Sequence, residues 1–219
     1  MDAIYRFLIG PLAWISFIVF IGGVIFRLAA ITRSAQKNDG VVLYYFNPKY
    51  ALRSLLHWLV PFGTISMREN PIFTAVSFVF HVCVLILPFF VLGHVVLLET
   101  FWSVSWWTLP DTLAHLMTLV VILCLGYFAW RRRKLKDVQF VTDRSDFILL
   151  ALVAAPFVFG FLAYQGWGSY RLMLVLHVLS AEILLMAFPF TRLIHMVFGV
   201  LTRAYTGSEF GGVRHVKDW

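Results

Sequence analysis

The chain has 219 residues, of which 61% are hydrophobic and only 13% charged, and its mean hydropathy is +0.84. A soluble domain of this size could not cover so many apolar side chains, so the composition predicts an all-α integral membrane protein. The formal net charge is +7, but the basic residues lie between apolar stretches in the pattern of a membrane topology, which excludes nucleic acid as the expected partner.

Five apolar stretches are long enough to cross a bilayer. They cover residues 4–31, 71–98, 111–130, 146–164 and 169–198. The second opens with Asn70-Pro71 and the third with Pro110-Asp111, and both pairs are typical helix starts. We expect one membrane domain over residues 1–200 and a polar tail over residues 201–219 that a partner orders. No secretory signal peptide is expected, because the N-terminus has no basic region before its first apolar stretch.

The lysine and arginine residues predict the orientation. Fifteen of the 18 lie in segments 32–70 and 131–146 and in the tail from Arg192, while the short loops 99–111 and 165–169 have none. Because cytoplasmic loops are enriched in these residues, we expect the N-terminus outside and the C-terminus in the cytoplasm. Anionic lipid is a sufficient partner for much of this charge. The outer loop carries Trp102, Trp106 and Trp107, which are typical of an interfacial aromatic belt.

Residues 49–60, in the first cytoplasmic loop, predict a short amphipathic helix. Arg53 and His57 would share its polar side, and five residues would form its apolar side: Ala51, Leu52, Leu55, Leu56 and Leu59. Two interpretations stay open for this helix. It lies on the membrane as a plain interfacial helix, or it also docks a cytoplasmic subunit.

Cys83 and Cys124 both fall inside apolar stretches, which predicts buried, reduced thiols and no disulfide. The sequence has no Gly-rich phosphate loop, no Cys-rich cluster motif and no catalytic triad pattern. If the chain serves an enzyme, the substrate chemistry therefore lies on its partners.

Histidines in the apolar stretches are the candidate functional residues, since ionisable groups in a membrane are costly and usually functional. His177 and His195 are 18 residues apart, which on one helix is about five whole turns and a rise of about 27 Å. Such a pair would point the same way at opposite membrane depths. Imidazole is a common axial ligand of haem iron, so the spacing predicts two haem ligands, with a satisfied core histidine as the alternative.

The predicted topology sorts the remaining histidines by depth. His81 pairs with His195 near the cytoplasmic face, and His94 pairs with His177 near the outer face, with one haem b for each pair. The interval of 13 residues between His81 and His94 is about 140° from alignment on a straight helix, so we expect a distortion at Pro88. His115, near the outer end of the third stretch, is the alternative to His94.

Three arginines lie where haem propionates would be expected: Arg171 on the outer side, and Arg192 and Arg131 on the inner side. Pairing with a propionate and snorkelling at the membrane edge are both open for each of them.

The spans and histidines resemble the di-haem cytochrome b (gamma) subunit of respiratory nitrate reductase. The matching residues are Phe80-His81, Gly93-His94 and the segment Phe188-Pro-Phe-Thr-Arg-Leu-Ile-His195. The resemblance implies that His81, His94, His177 and His195 are the axial ligands of two b haems. The chain departs from that subunit in its longer interval between His81 and His94 and in its long first cytoplasmic loop. It also has no lysine beyond His94 that matches the one associated with that family's quinol site. These features make it more similar to cytochrome b subunits of sulfate-reducer membrane complexes.

Those relatives belong to the high-molecular-weight cytochrome complex and the tetrahaem cytochrome complex. The resemblance implies a location in the bacterial inner membrane beside other membrane subunits. It also implies a cytoplasmic heterodisulfide-reductase-like iron–sulfur subunit and a periplasmic multihaem cytochrome c as partners. We expect the chain to carry electrons between them. The alternatives are quinol oxidation at the outer haem, with menaquinone, and a membrane anchor without haem.

Overall fold

The computed structural model describes residues 2–218, except for the side chains of Asp2, Val42 and Leu43. Met1 and Trp219, the ends of the predicted membrane domain and tail, lie outside the described residues. Within 2–218 the chain is helical and contains no strand. The main helices are Ala3–Asn38 (α1), Pro48–Leu59 (α2), Ile65–Glu69 (α3), Pro71–Phe90 (α4), Leu92–Trp102 (α5), Asp111–Lys134 (α6), Arg144–Gln165 (α7), Tyr170–Ala187 (α8) and His195–Ser208 (α9).

Five helical segments are long and apolar enough to cross a membrane, as predicted. They are α1, α4, α6, α7 and the stretch Tyr170–Phe190, which extends α8 by a short turn. The chain is therefore a multi-pass, all-α membrane protein. The first span is longer than predicted, since α1 continues to Asn38 where the apolar stretch ends near residue 31.

Local sequence signals set most helix ends. Pro71 opens α4 as predicted, and the Asn70 side-chain amide donates to the Ser66 carbonyl at 3.4 Å. At the start of α7 the Asp143 carboxylate accepts the Asp146 backbone N–H at 3.3 Å, and Asp146 accepts the Asp143 N–H at 3.0 Å. This reciprocal capping box satisfies backbone groups that a helix end leaves open. Arg132 at the end of α6 then pairs with Asp146 at 3.3 Å, which ties α6 to α7.

The described chain divides into two compact units. The first consists of Ala75–Ala181 and the N-terminal residues up to Ile9, and the second of Gly10–Thr74 and the chain from Glu182 onwards. In the core of the first unit, α4 packs on α6 through Cys83, Leu87, Ala114, Val121 and Leu125, and side chains of α7 such as Val153 and Phe157 pack against these residues. Cys83 and Cys124 are free, buried thiols, as predicted.

In the second unit, α9 and the residues after it pack on α2. A Cβ on Gly207 would overlap the Ser54 side chain, so only glycine allows this approach of the two helices. The Ser54 hydroxyl donates to the Asp218 carboxylate, and Arg203 pairs with the same carboxylate at 3.1 Å. The tail residues thus pack on α2 of the same chain, and their ordering by a partner stays a prediction. Sequence reasoning did not find these contacts with α2, because they join residues 161 to 164 positions apart.

The prediction of one continuous helix over residues 169–198 is wrong. Helix α8 ends at Ala187, a short turn covers Phe188–Phe190, and Thr191 is extended, with φ −122° and ψ −179°. Pro189 lacks the N–H that a helix needs, and the turn packs on α1, where a Cβ on Gly23 would lie 2.5 Å from the Pro189 Cγ. His177 and His195 therefore lie on different helices, and counting turns between them does not give their relative direction.

Candidate functional site

Two histidines predicted as a pair lie side by side in the first unit. His94 is in the first turn of α5 and His177 is in the middle of α8. Their ring centroids are 5.8 Å apart and the ring planes differ by only 11°. Both side chains are half-buried. Helices from separate parts of the sequence thus bring two imidazoles into a nearly parallel arrangement.

A break between α4 and α5 sets the position of His94. The predicted distortion near Pro88 is confirmed, since α4 ends at Phe90 and Val91 is extended, with ψ 131°. The break leaves three successive carbonyls at the end of α4 without helical partners. The Pro88 carbonyl accepts from the His94 Nδ1–H at 2.9 Å. The Phe89 carbonyl accepts from the Trp106 indole N–H at 2.8 Å, and the Phe90 carbonyl accepts from the Leu109 amide at 2.8 Å.

Helix α7 sets the position of His177. The His177 Nδ1–H donates to the Pro156 carbonyl at 2.7 Å. One turn later, a Cβ on Gly160 would lie 2.9 Å from the His177 Nδ1 and 3.0 Å from its Cε1. The ring therefore occupies the space that a side chain at residue 160 would fill. Pro156 and Gly160 were not among the predicted site residues.

His81 and His195 show the same hydrogen-bonding pattern, each within its own unit. The His81 Nδ1–H donates to the Ser77 carbonyl at 2.7 Å, and the His195 Nδ1–H donates to the Arg192 carbonyl at 2.9 Å. A carbonyl can only accept, so Nδ1 carries the proton in all four histidines. In the neutral ring the lone pair then lies on Nε2, which is the state of an imidazole that binds a metal.

The other described histidines of interest are held differently. His115 stacks on Phe161 and packs on the tilted ring of Tyr164, with ring centroids 5.0 Å apart in both pairs. His57 uses its Nε2 to contact the Gly63 carbonyl at 2.9 Å. The structure thus brings His94 next to His177, whereas the alternative His115 packs on aromatic rings of α7.

The predicted propionate partners lie at helix ends. Arg171 is exposed in the first turn of α8, and Arg192 is exposed in the turn before α9, where its carbonyl holds His195. Arg131 is in the last turn of α6. Over residues 2–218, no three His, Cys, Asp or Glu side chains come together as a metal-binding group.

Sequence signals for the missed residues are present but weak. A proline inside an apolar span, such as Pro156, indicates disturbed helical hydrogen bonding nearby. A glycine one turn later indicates a close approach by another group. Trp106 was interpreted only as part of an aromatic belt, because nothing in the local sequence indicates that its indole reaches the Phe89 carbonyl.

Comparison with known proteins finds a relative that aligns with almost the whole chain. The chain is 38% identical over 210 residues to a protein of Nitratidesulfovibrio vulgaris (strain Hildenborough) described only as "Protein". The alignment covers 94% of this chain and 93% of that relative. No family model matches the chain, and no solved structure is significantly similar to it.

Proposed function

We propose that this chain, which belongs to one family with the Nitratidesulfovibrio vulgaris protein, is a di-haem cytochrome b subunit of a membrane redox complex. It carries electrons across the bacterial inner membrane through two b haems. The observation that carries the proposal is the arrangement of His94 and His177, whose rings are nearly parallel with centroids 5.8 Å apart.

The separation of these two rings fits axial ligation of one iron. Metal–imidazole bonds are about 2.0 Å long, and each ring nitrogen lies about 1.1 Å from its ring centroid, so two rings on one metal have centroids about 6 Å apart. A haem iron needs only two protein ligands, since the porphyrin provides the other four. A pair of histidines is thus a complete donor set for haem, although it is too small for most other metal sites.

His81 and His195 are the proposed ligands of the second haem, near the cytoplasmic face. The assignment is supported by their depth in the predicted topology and by the Nδ1 hydrogen bond that each makes to a main-chain carbonyl. These bonds fix the tautomer and the ring direction and raise the basicity of Nε2. When bound, a b haem supplies a one-electron carrier whose potential depends on its ligands and surroundings. Arg171 and Arg192 stay as proposed propionate partners.

The proposed orientation puts the N-terminus outside and the C-terminus in the cytoplasm, with α2 on the cytoplasmic membrane surface. The distribution of buried and exposed side chains on α2 supports its position on the membrane. Ser54 is fully buried against α9, while Leu52, Leu56 and Leu59 are 58%, 56% and 61% exposed. Three leucines on one outward face of a short helix with basic neighbours are typical of a helix that lies on anionic lipid.

The proposed partners follow from the resemblance to the nitrate reductase gamma subunit and its relatives in sulfate reducers. They are a periplasmic multihaem cytochrome c, a cytoplasmic iron–sulfur subunit and other membrane subunits. The chain itself offers side chains that hold and orient electron carriers inside an apolar bundle. Substrate chemistry would then take place on the partners.

A haem count on variants tests the proposal. The purified complex should contain about two haems b per chain by the pyridine-haemochrome assay, consistent with two bis-histidine sites. His94→Ala and His177→Ala should each lower the count by about one, because an iron that loses an axial ligand is held poorly.

His115→Ala is the matched control and should keep both haems. A colourless wild-type protein, or full haem retention in His94→Ala, would contradict the assignment. The same samples address quinol oxidation, because a quinol analogue should reduce the haems in an inhibitor-sensitive way only if the chain has a quinone site.

A further inference from the structure

The outer loop between α5 and α6 folds back onto the broken end of α4. Helix α5 ends at Trp102, and the following Ser103 adopts a left-handed conformation with φ 55°. The chain then returns so that the Trp106 indole N–H donates to the Phe89 carbonyl at 2.8 Å and the Leu109 amide donates to the Phe90 carbonyl at 2.8 Å. We name residues 103–110 the outer clasp.

The clasp acts on the carbonyls that adjoin the His94 acceptor. His94 donates to Pro88, and the next carbonyl along the chain, that of Phe89, accepts from Trp106. Both carbonyls belong to the last turn before the break, where no following helical N–H restrains them. The two peptide groups meet at the Phe89 Cα, so fixing the Phe89 carbonyl limits the backbone rotations by which the neighbouring peptide could turn the Pro88 oxygen away from the imidazole.

An indole donor is well suited to this position. Trp106 is half-buried, and a tryptophan at the membrane edge combines a large apolar ring with a single N–H donor. Unsatisfied carbonyls are costly near the apolar part of a bilayer, so the bond persists where water competes poorly. The neighbouring Trp107 makes a different contact, since its ring packs on Phe90 at a centroid distance of 4.4 Å.

We propose that Trp106 is a positioning residue for the outer haem. Its indole N–H fixes the last turn of α4, in which the Pro88 carbonyl sets the plane of the His94 imidazole. This inference rests on the proposed function. The group that holds a ligating histidine by its second nitrogen orients the ring and tunes the metal. Loss of the indole N–H should let the Pro88 carbonyl and the His94 ring rotate together, and the outer haem alone should report the change.

Electron paramagnetic resonance of the oxidised complex tests the proposal, because the largest g value of a low-spin bis-histidine haem depends on the angle between its two imidazole planes. In Trp106→Phe, we expect one of two low-spin signals to shift and the other to stay unchanged, with two haems retained. A second variant replaces Trp106 with benzothienylalanine, which keeps the ring shape but lacks the N–H, and it should show the same shift.

Trp107→Phe is the matched control and should leave both signals in place. Two retained haems with unshifted signals in the benzothienylalanine variant would overturn the role of Trp106 but leave the di-haem function intact. An equal shift in Trp107→Phe would also overturn it, since the effect would then belong to the loop as a whole. Absence of haem from the wild-type complex would overturn the proposed function and this inference together.

Discussion

The imidazole hydrogen bonds are the most specific feature at the scale of single residues. His81, His94, His177 and His195 each donate from Nδ1 to a main-chain carbonyl, and the acceptors are Ser77, Pro88, Pro156 and Arg192. His57 contacts a carbonyl through Nε2, and His115 stacks on aromatic rings. The four histidines paired by depth in the sequence thus share a hydrogen-bonding pattern that differs from the contacts described for His57 and His115.

Gly160 gives the first prediction at this scale. In Gly160→Ala, the new Cβ would lie 2.9 Å from the His177 Nδ1, so the ring must leave its place beside the Pro156 carbonyl. We expect loss of about one haem per chain in the pyridine-haemochrome assay, because a displaced ligand cannot be held in the geometry that metal binding needs.

Gly126→Ala is the control, since nothing lies within 4 Å of the Cβ position at residue 126 on α6. It should keep the full haem content. Equal losses in both variants would show that helix packing in general, and not the space for His177, controls haem retention.

Glu182 is the buried carboxyl group of α8, only 7% exposed, and neither of its oxygens has a hydrogen-bond partner within residues 2–218. Burial of an ionised carboxylate without a partner costs several kcal/mol, so the charge at this position does not stabilise the fold. Glu182→Gln keeps the shape and removes the ionisable group. We expect thermal stability in detergent equal to or above that of the wild type, and a clear fall in the midpoint temperature would show that the carboxylate has a stabilising partner.

At the scale of helices, breaks position two of the histidines. Val91 ends the helical pairing after α4, and Thr191 does the same between α8 and α9. Each break is close to a proline, Pro88 or Pro189, which removes a backbone donor. The break at Val91 leaves the Pro88 carbonyl open to His94, and the break at Thr191 is followed by α9, which begins at His195. The carbonyls that hold His94 and His195, those of Pro88 and Arg192, lie at these interruptions, whereas His81 and His177 are held by carbonyls inside continuous helices.

Contact between α2 and α9 gives a prediction at the same scale. In Gly207→Ala, the added Cβ would overlap Ser54 and lie 2.9 Å from the Tyr50 carbonyl oxygen, which cannot move without shifting α2. We expect destabilisation of the second unit by about 1–3 kcal/mol, the usual cost of overpacking. Faster limited proteolysis after residue 200 and a lower midpoint of thermal unfolding in detergent would measure it.

Gly199→Ala on the same helix is the control, because nothing lies within 4 Å of the Cβ position at residue 199. Alanine favours a helix by up to about 1 kcal/mol over glycine, so this variant should be as stable as the wild type or slightly more stable. Destabilisation by both substitutions would indicate that α9 does not tolerate alanine for another reason.

At the scale of the whole molecule, the distribution of basic residues predicts that residues 99–111 face outward and residues 32–70 face the cytoplasm. The native thiols of Cys83 and Cys124 are only 7% and 8% exposed, so they should give little background in labelling experiments. We expect a membrane-impermeant thiol reagent to label Ser105→Cys in intact spheroplasts and to label Ser66→Cys only after permeabilisation. The reverse pattern would invert the topology and exchange the proposed inner and outer haems.

Composition and apolar length by themselves determined the class of this protein. Five spans could be predicted because a bilayer demands about 20 apolar residues per helix, whatever else the chain does. The pairing of His94 with His177 was also within reach, since depth follows from topology. Local rules also predicted the helix start at Pro71 and the distortion near Pro88. The burial of the two cysteine thiols followed from their positions inside apolar stretches.

Tertiary structure alone decided how the histidines are held and where the C-terminal tail lies. The Pro156 carbonyl, the space at Gly160 and the Trp106 indole reach the site from separate elements, and no local pattern encodes such contacts. Because of the interruption at Thr191, counting helical turns does not give the relative direction of His177 and His195. Such a count assumes one straight helix, and Pro189 with its packing on Gly23 does not allow one. Whether a segment can span a membrane depends on the hydropathy of that segment alone. The direction of a polar side chain depends on which backbone groups elsewhere in the fold are available to accept its hydrogen bond.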